Sequence, residues 1–338
     1  MTSKEYGIGI IGNGHYIPSN IVTNEMIEAW SGVPAGEIVK RIGVKTRYVV
    51  DEDESASSMS VKSALSALGK SGISPDLIDL IIVCSFTGDY VFPAMACKVQ
   101  ELIGAKNAGA FDVMANCTGF QVGLTVASDR MKADSSIKHT LVIGTALQSR
   151  YINWQDPHSS IYFGDGSGAV VLGQVPKGQG ILSTEIMTNG RVYDAVRMRG
   201  GGSSFPITKE NVSDGLQFYE LNGLEIWKQV VQFQPKAIQR SLEKIGKTES
   251  DVDFFIFHQA NLRLIEFLMG KMRLPMLKTF TNVERIGNTA DASMAIALSE
   301  ALDLKLIKSG DLVVITGVGA GFTFGSTVIR WQQDSEGI

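Results

Sequence analysis

Cysteine is scarce in this 338-residue chain: Cys84, Cys97 and Cys117 are an odd number and show no metal-ligand spacing. That excludes a disulfide framework, implies a reducing compartment and leaves no metal site to expect. Positive charge is short as well. Thirty-one Lys and Arg stand against 35 Asp and Glu, a formal charge of -4, and without a concentrated basic surface nucleic acid is not an expected partner. No apolar run approaches the roughly 20 residues that span a bilayer. The first apolar run is broken by Gly7, Gly9 and Gly12, and no signal-peptide cleavage pattern follows it. The expectation is a cytoplasmic protein with no membrane insertion.

With 44% hydrophobic and 20% charged residues, the chain is globular and long enough to bury two cores. It is organised around residues 109–124, where a buried strand (110–114), a turn of small residues and a helix with apolar Phe120, Val122, Leu124, Val126, Ala127 and Met131 are expected in succession. Cys117 stands at the turn. Free N–H groups and the positive end of the helix dipole favour a thiolate there and lower the thiol pKa, which makes a nucleophile. Read as plain structure, a lone cysteine is a small core residue.

Elsewhere the pattern predicts a short strand over 7–12 and a turn-rich loop to Pro18, with Gly12 and Gly14 too few for a dinucleotide fingerprint. A helix follows over 22–30 with Thr23 as its N-cap. Lys40, Arg41, Lys45 and Arg47 form a local basic cluster, read either as a solvated helix face or as a contact for an anionic ligand arm. A helix over 57–71 ends at Gly72, and residues 76–84 enter a strand buried on both faces. Cys84 in that strand and Cys97 in the next helix read as inert core. A further buried strand is expected over 139–144. Gly164, Gly166 and Gly168 read as a tight turn, residues 175–180 as a boundary, and residues 190–215, the least periodic stretch, as an excursion or lid.

The second half repeats the first. Residues 253–258 echo 79–84, and residues 278–298 echo the strand, turn and helix around Cys117. Cys117 precedes Leu141 of the following strand by 24 residues, and Asn288 precedes Leu312 by the same number. A duplicated unit of alternating strands and helices predicts an α/β protein of two similar halves, 1–177 and 178–338, with the site where they meet. His258 would lie at the carboxyl end of a buried strand, where parallel α/β sheets hold their ligands. A cysteine nucleophile with an imidazole and a carboxamide N–H donor suits acyl transfer through a covalent acyl-cysteine. Singly, His258 also reads as a satisfied core histidine and Asn288 as a helix cap.

The segments Ala115-Asn-Cys-Thr-Gly119, Phe163-Gly-Asp-Gly-Ser-Gly-Ala169, His258-Gln-Ala-Asn-Leu-Arg263, Gly287-Asn-Thr-Ala-Asp-Ala-Ser293 and Gly319-Ala-Gly-Phe-Thr-Phe-Gly325 together resemble the motifs of β-ketoacyl-acyl-carrier-protein synthase III, a family of the thiolase superfamily. The resemblance implies a thiolase-like αβαβα layered fold with two pseudo-symmetric halves, a homodimer, and acyl carrier protein as partner. It implies an acyltransferase of fatty-acid or secondary-metabolite synthesis that needs no cofactor, loads a starter acyl group on Cys117 and condenses it with a malonyl thioester as CO₂ leaves. His258 and Asn288 would hold the malonyl thioester oxygen, and the backbone N–H groups of Cys117 and Ala320 would form the oxyanion hole for loading. By the same resemblance Phe92 closes the partner's acyl tunnel, Arg263 meets the carrier protein, Arg41 and Asn261 lie near coenzyme A, and Val318 lines the acyl pocket. Two departures stand out: Glu37 replaces a family tryptophan that stacks on adenine, and no arginine lies near Pro157 and His158. They suggest a primer delivered on a carrier protein or as an unusual thioester, and not mainly as acetyl-coenzyme A. Transfer to an alcohol or amine, and a catalytically silent partner subunit, are the competing readings.

Overall fold

The computed structural model describes residues 6–332. Its first sheet is built from β1 (Tyr6–Tyr16), β4 (Leu80–Cys84), β5 (Gly109–Val113), β6 (Thr140–Ala146) and β7 (Gly166–Pro176), in the order β1-β7-β6-β4-β5. Between β1 and β4 come a small hairpin, β2 (Asn20–Thr23) with β3 (Thr46–Val49), and the helices α1 (Asn24–Ser31), α2 (Ala35–Ile42) and α3 (Ala56–Ser71). Helices α4 (Met95–Ile103) and α5 (Gly119–Ala133) flank β5. The second sheet takes β8 (Gly180–Thr188), β11 (Phe254–Phe257), β12 (Leu312–Gly319) and β13 (Thr323–Arg330), in the order β11-β12-β13-β8. Between them lie a short hairpin, β9 (Val196–Met198) with β10 (Tyr219–Leu221), and the helices α6 (Gly223–Glu243), α7 (Leu262–Lys271), α8 (Val283–Ile286) and α9 (Ser293–Asp303).

Three apolar clusters set the layering. Leu68 of α3 and Val99 of α4 pack with Ile81, Ile143 and Val171 on the outer face of the first sheet. Phe120 and Leu124 of α5 and Met294 and Leu298 of α9 fill the space between the sheets, against Ile82 and Val142 on one side and Ile256 and Ile315 on the other. Ile238 of α6 and Ile265 and Leu268 of α7 cover the far side of the second sheet with Phe255 and Val314. The result is the αβαβα sandwich. α5 and α9 are buried because both sheets press on them. Glycine makes the closest of these approaches possible: a methyl group added at Gly168 of β7 would collide with the backbone of α9 at Ala295. Gly166 and Gly168 thus serve strand-to-helix packing, not the tight turn their spacing suggests.

Several expectations are corrected. The first strand runs on to Tyr16, because residues 12–16 pair in register with 167–171 of β7. The helix expected over 22–30 begins at Asn24, with Thr23 as the N-cap accepting from the N–H of Met26. β5 is a half-exposed edge strand, because only β4 pairs with it. Cys97 is exposed on α4. Arg47 belongs to no surface cluster: it is fully buried and donates to the carbonyls of Val22 and Ile161 and to Asn24. Residues 278–283 form no strand, only a bridge from Thr279 to Phe255. No helix of the described residues is long and apolar enough to cross a membrane.

Candidate active site

Cys117 sits in a single 3₁₀ turn, Asn116–Thr118, that runs directly into α5. The other half carries the same construction, a 3₁₀ turn, Ala290–Ala292, that runs directly into α9. Both turns open on a non-glycine residue with positive φ, Asn116 at 47° and Ala290 at 42°. The two turns pack against each other where the central helices begin. This geometry shifts the internal register: the counterpart of Cys117 is Asp291, and Asn288 lies three residues earlier. Equal spacing to the next strand misaligns the halves because α9 has 11 residues where α5 has 15, and the longer connection that follows α9 offsets only part of the difference.

Asn288 is held by its backbone. Its N–H donates to the carbonyl of Tyr162 (2.9 Å), and its carbonyl accepts from Gly164 N–H (3.1 Å) and Gln148 Nε2 (2.8 Å). Asp165 fastens that loop in turn, accepting from the N–H groups of Val50, Gln148 and Ser149. The segment around Phe163 therefore positions Asn288. Its side-chain oxygen accepts from Ala290 N–H (2.9 Å), which fixes the carboxamide and leaves its NH₂ as a donor.

His258 follows β11 directly, its N–H donating to Thr316 of β12 (2.8 Å). Its Nδ1 pairs with Ser293 Oγ (2.6 Å), and Ser293 also accepts from Gln259 N–H (3.3 Å). Ser293 is a site residue with no signal of its own in the chain beyond closing the motif that contains Asn288. With the Ser293 hydroxyl donating to Nδ1, the imidazole proton sits on Nε2. Burial pushes the His258 pKa down to about 3, so the ring is neutral at physiological pH.

That shift has a consequence for stability. Above pH 6.5 His258 is neutral in both folded and unfolded chains and has no effect. Between about 6.5 and 3 the unfolded chain takes up a proton that the folded chain refuses, so stability falls on acidification by about 1.4 kcal/mol per pH unit from this group. Urea titrations across pH 4–7 should show a flatter acid limb in His258→Asn than in the parent. Parallel limbs in the two proteins would contradict the buried neutral ring.

Its place at the helix start predicts an acidic Cys117. The opposite holds: the residue is only half-buried, yet the protein packed around its sulfur excludes water, and that, followed by the charge of Asp291, pushes its thiol well up. A helix N-terminus supplies about 0.3–1 kcal/mol to an anion, whereas desolvation moves buried groups by several pKa units. Cys84, fully buried at the end of β4, is raised as well.

Cys117, His258 and Asn288 line one cavity of about 300 Å³. Gly319 brings β12 to the cysteine: a methyl group there would meet Ala115 O and Thr118. Ala320 follows in the cavity wall, its carbonyl accepting from Asn116 Nδ2 (3.1 Å). Arg41, Asn261 and Val318 line the same cavity, although the Asn261 side chain also caps α7 by accepting from Leu264 N–H. Arg263 is not part of the wall. It pairs with Glu266 (2.9 Å) and donates to the carbonyls of Val39 and Lys40 at the end of α2. Phe92 lies outside the cavity on an exposed loop with Tyr90 and Val91. Glu37 points to solvent and pairs with Lys40. Trp227 of α6, itself exposed, lines the same cavity as Arg41, so the wall keeps an aromatic although Glu37 offers none. The expected lid contributes wall as well, through Val196 of β9, which pairs with Leu221 of β10 beyond the lid's end.

A cysteine at the start of a buried central helix, sharing one cavity with an imidazole and a carboxamide from the second half of an αβαβα sandwich, defines a thiolase-like condensing fold. The family models of 3-oxoacyl-[acyl-carrier-protein] synthase III match residues 111–190 and, for its C-terminal part, 242–331. The chain is 40% identical to the β-ketoacyl-[acyl-carrier-protein] synthase III of Natranaerobius thermophilus over 95% of its own length and 98% of that protein's. The crystal structure of 3-oxoacyl-[acyl-carrier-protein] synthase III from Aquifex aeolicus VF5 superposes with a TM-score of 0.89 at 34% identity, covering 96% of this chain and all of that one. The priming β-ketosynthase of the R1128 polyketide pathway gives 0.89 at 27% identity, covering 98% of each chain. The chain belongs to the β-ketoacyl-acyl-carrier-protein synthase III family.

Proposed function

We propose that this protein is a condensing synthase that carries a starter acyl group on Cys117 and joins it to a malonyl thioester. The observation that carries the reading is the convergence of Cys117, His258 and Asn288, drawn from separate elements of both halves, on one cavity. In the loading step Cys117 attacks an acyl thioester, and the carrier thiol leaves. The N–H groups of Cys117 and Ala320 would stabilise the oxyanion of that step. In the second step the malonyl carboxylate leaves as CO₂, and the electron pair left behind attacks the acyl-cysteine carbonyl. A carbon–carbon bond forms, the carbon–sulfur bond breaks and the Cys117 sulfur is regenerated. His258 Nε2–H and the Asn288 NH₂ would donate to the malonyl thioester oxygen as negative charge collects there. A ring that stays neutral is suited to that role, because it gives a hydrogen bond without a buried charge. The acyl groups and their carriers are substrates, so no cofactor is invoked.

Acyl carrier protein is the proposed partner, with Arg263 and Arg41 on the side it would approach and Asn261 and Trp227 along the path of the thioester arm. A homodimer is proposed from the unpaired edge of β5 and the apolar surface of Tyr90, Val91, Phe92 and Met114, a combination that single chains seldom leave open. Incubation with an acyl thioester and malonyl carrier protein is expected to release one CO₂ per β-ketoacyl product. An ester or amide formed without CO₂ would point to transfer to an alcohol or amine. Absence of any acyl-enzyme would point to a silent subunit.

A further inference from the structure

Asp291 is a buried acid that the chemistry above does not use. It is wholly inaccessible, no side chain hydrogen-bonds either carboxyl oxygen, the backbone N–H of Phe86 is the nearest donor from another residue, and burial pushes its pKa well up. Buried polar groups are nearly always satisfied, and a carboxyl without a side-chain partner needs an explanation. Its surroundings are specific. A methyl group added at Gly119, two residues after Cys117, would collide with Asp291 Oδ1, and one added at Gly144 of β6 would collide with its backbone carbonyl. The carboxyl is therefore packed against the first residue of α5, the helix whose N-terminus also carries Cys117. By the pseudo-symmetry of the two 3₁₀ turns, Asp291 occupies in the second half the place that Cys117 occupies in the first.

We infer that Asp291 is a positioning residue for the nucleophile: an acid set against the same helix end as Cys117, which competes with the sulfur for the one negative charge that the buried site can hold. The inference rests on the reading of Cys117 as the nucleophile. The titratable groups that feel Asp291 are Cys84 of β4, Cys117 itself and Tyr219 of β10. β6 and β7, which also pack against its turn, carry no titratable side chain. The charged residues of α5 and α9 (Asp129, Arg130, Lys132, Glu300 and Asp303) begin about two turns or more along their helices. No cation among the described residues pairs with Asp291, so two like charges next to the turn are disfavoured. Burial first, and the charge of Asp291 added to it, make a resting thiol: Cys117 keeps its proton, which protects it from adventitious alkylation and oxidation.

The test is the pH dependence of alkylation by iodoacetamide, in which the thiolate sulfur forms the new S–C bond and iodide leaves. Site-resolved mass spectrometry follows Cys117, with exposed Cys97 as internal control. In the full-length protein Asp291→Asn should lower the Cys117 midpoint by about one pH unit or more, equivalent to about tenfold faster alkylation below the midpoint. Asp291→Ala, which removes the carboxyl without burying another polar group, should do the same and guards against misfolding of the first variant. A midpoint that stays put or rises in a folded variant, with Cys97 unchanged, overturns the inference while leaving Cys117 as the nucleophile. Failure of Cys117 to react in every protein, at every pH, overturns the nucleophile reading and this inference together.

Discussion

Cys117→Ala is expected to lose the acyl-enzyme altogether. Intact-mass measurement after incubation with an acyl thioester should show the added acyl mass on the parent protein and none on the variant, with turnover down by about 10³-fold or more. The expectation follows from position. Cys117 lines the cavity, whereas Cys84 is sealed in the core with its thiol pushed up by burial, and Cys97 is on the outside of α4. Neither can take over. Fold should be unaffected, because residue 117 is only half-buried and alanine suits the start of a helix. A variant that still became acylated at normal rate would show that another group is the nucleophile.

His258→Ala should divide the two half-reactions. Loss of one fixed donor to a developing oxyanion costs about 10²–10³ in rate, and His258 is assigned to the malonyl thioester oxygen, not to loading. Condensation should therefore fall by that factor while acylation of Cys117, read by mass, changes far less. Asn288→Ala should give a similar pattern, and the double variant should lose less than the product of the two, since both serve one oxygen. Ser293→Ala should reproduce part of the His258 effect by releasing the imidazole tautomer, with acylation again spared. Equal losses in loading and condensation would remove the assigned division of labour.

Much of this was legible in the chain because it depends on local pattern. The continuous apolar run at 80–84 predicts a strand covered on both faces, and β4 is buried along its whole length. Gly72 predicts the end of α3 and is found there in the left-handed region at φ 68°. The recurrence of strand, turn and helix in both halves predicts a layered α/β protein with Cys117, His258 and Asn288 gathered together, and all three reach one cavity. Local pattern failed where a distant partner decides the outcome. Arg47 reads as one charge of a surface cluster, but three acceptors from remote segments bury it. Gly166 and Gly168 read as a turn, but they are the seat of α9.

The order of residues alone determined which segments become strands and helices, that a strand, turn and helix pattern recurs, and that a cysteine, an imidazole and a carboxamide are available, since periodicity and residue chemistry act over a few positions. Only the folded chain decided the register between the two copies, the pairing of Ser293 with His258, the placing of Asp291 beside the turn of Cys117 and the upward push on the thiol. These depend on burial and on neighbours brought in from the opposite half, and neither the loss of water around a group nor the charge that comes to lie beside it is written in the spacing of side chains along the backbone.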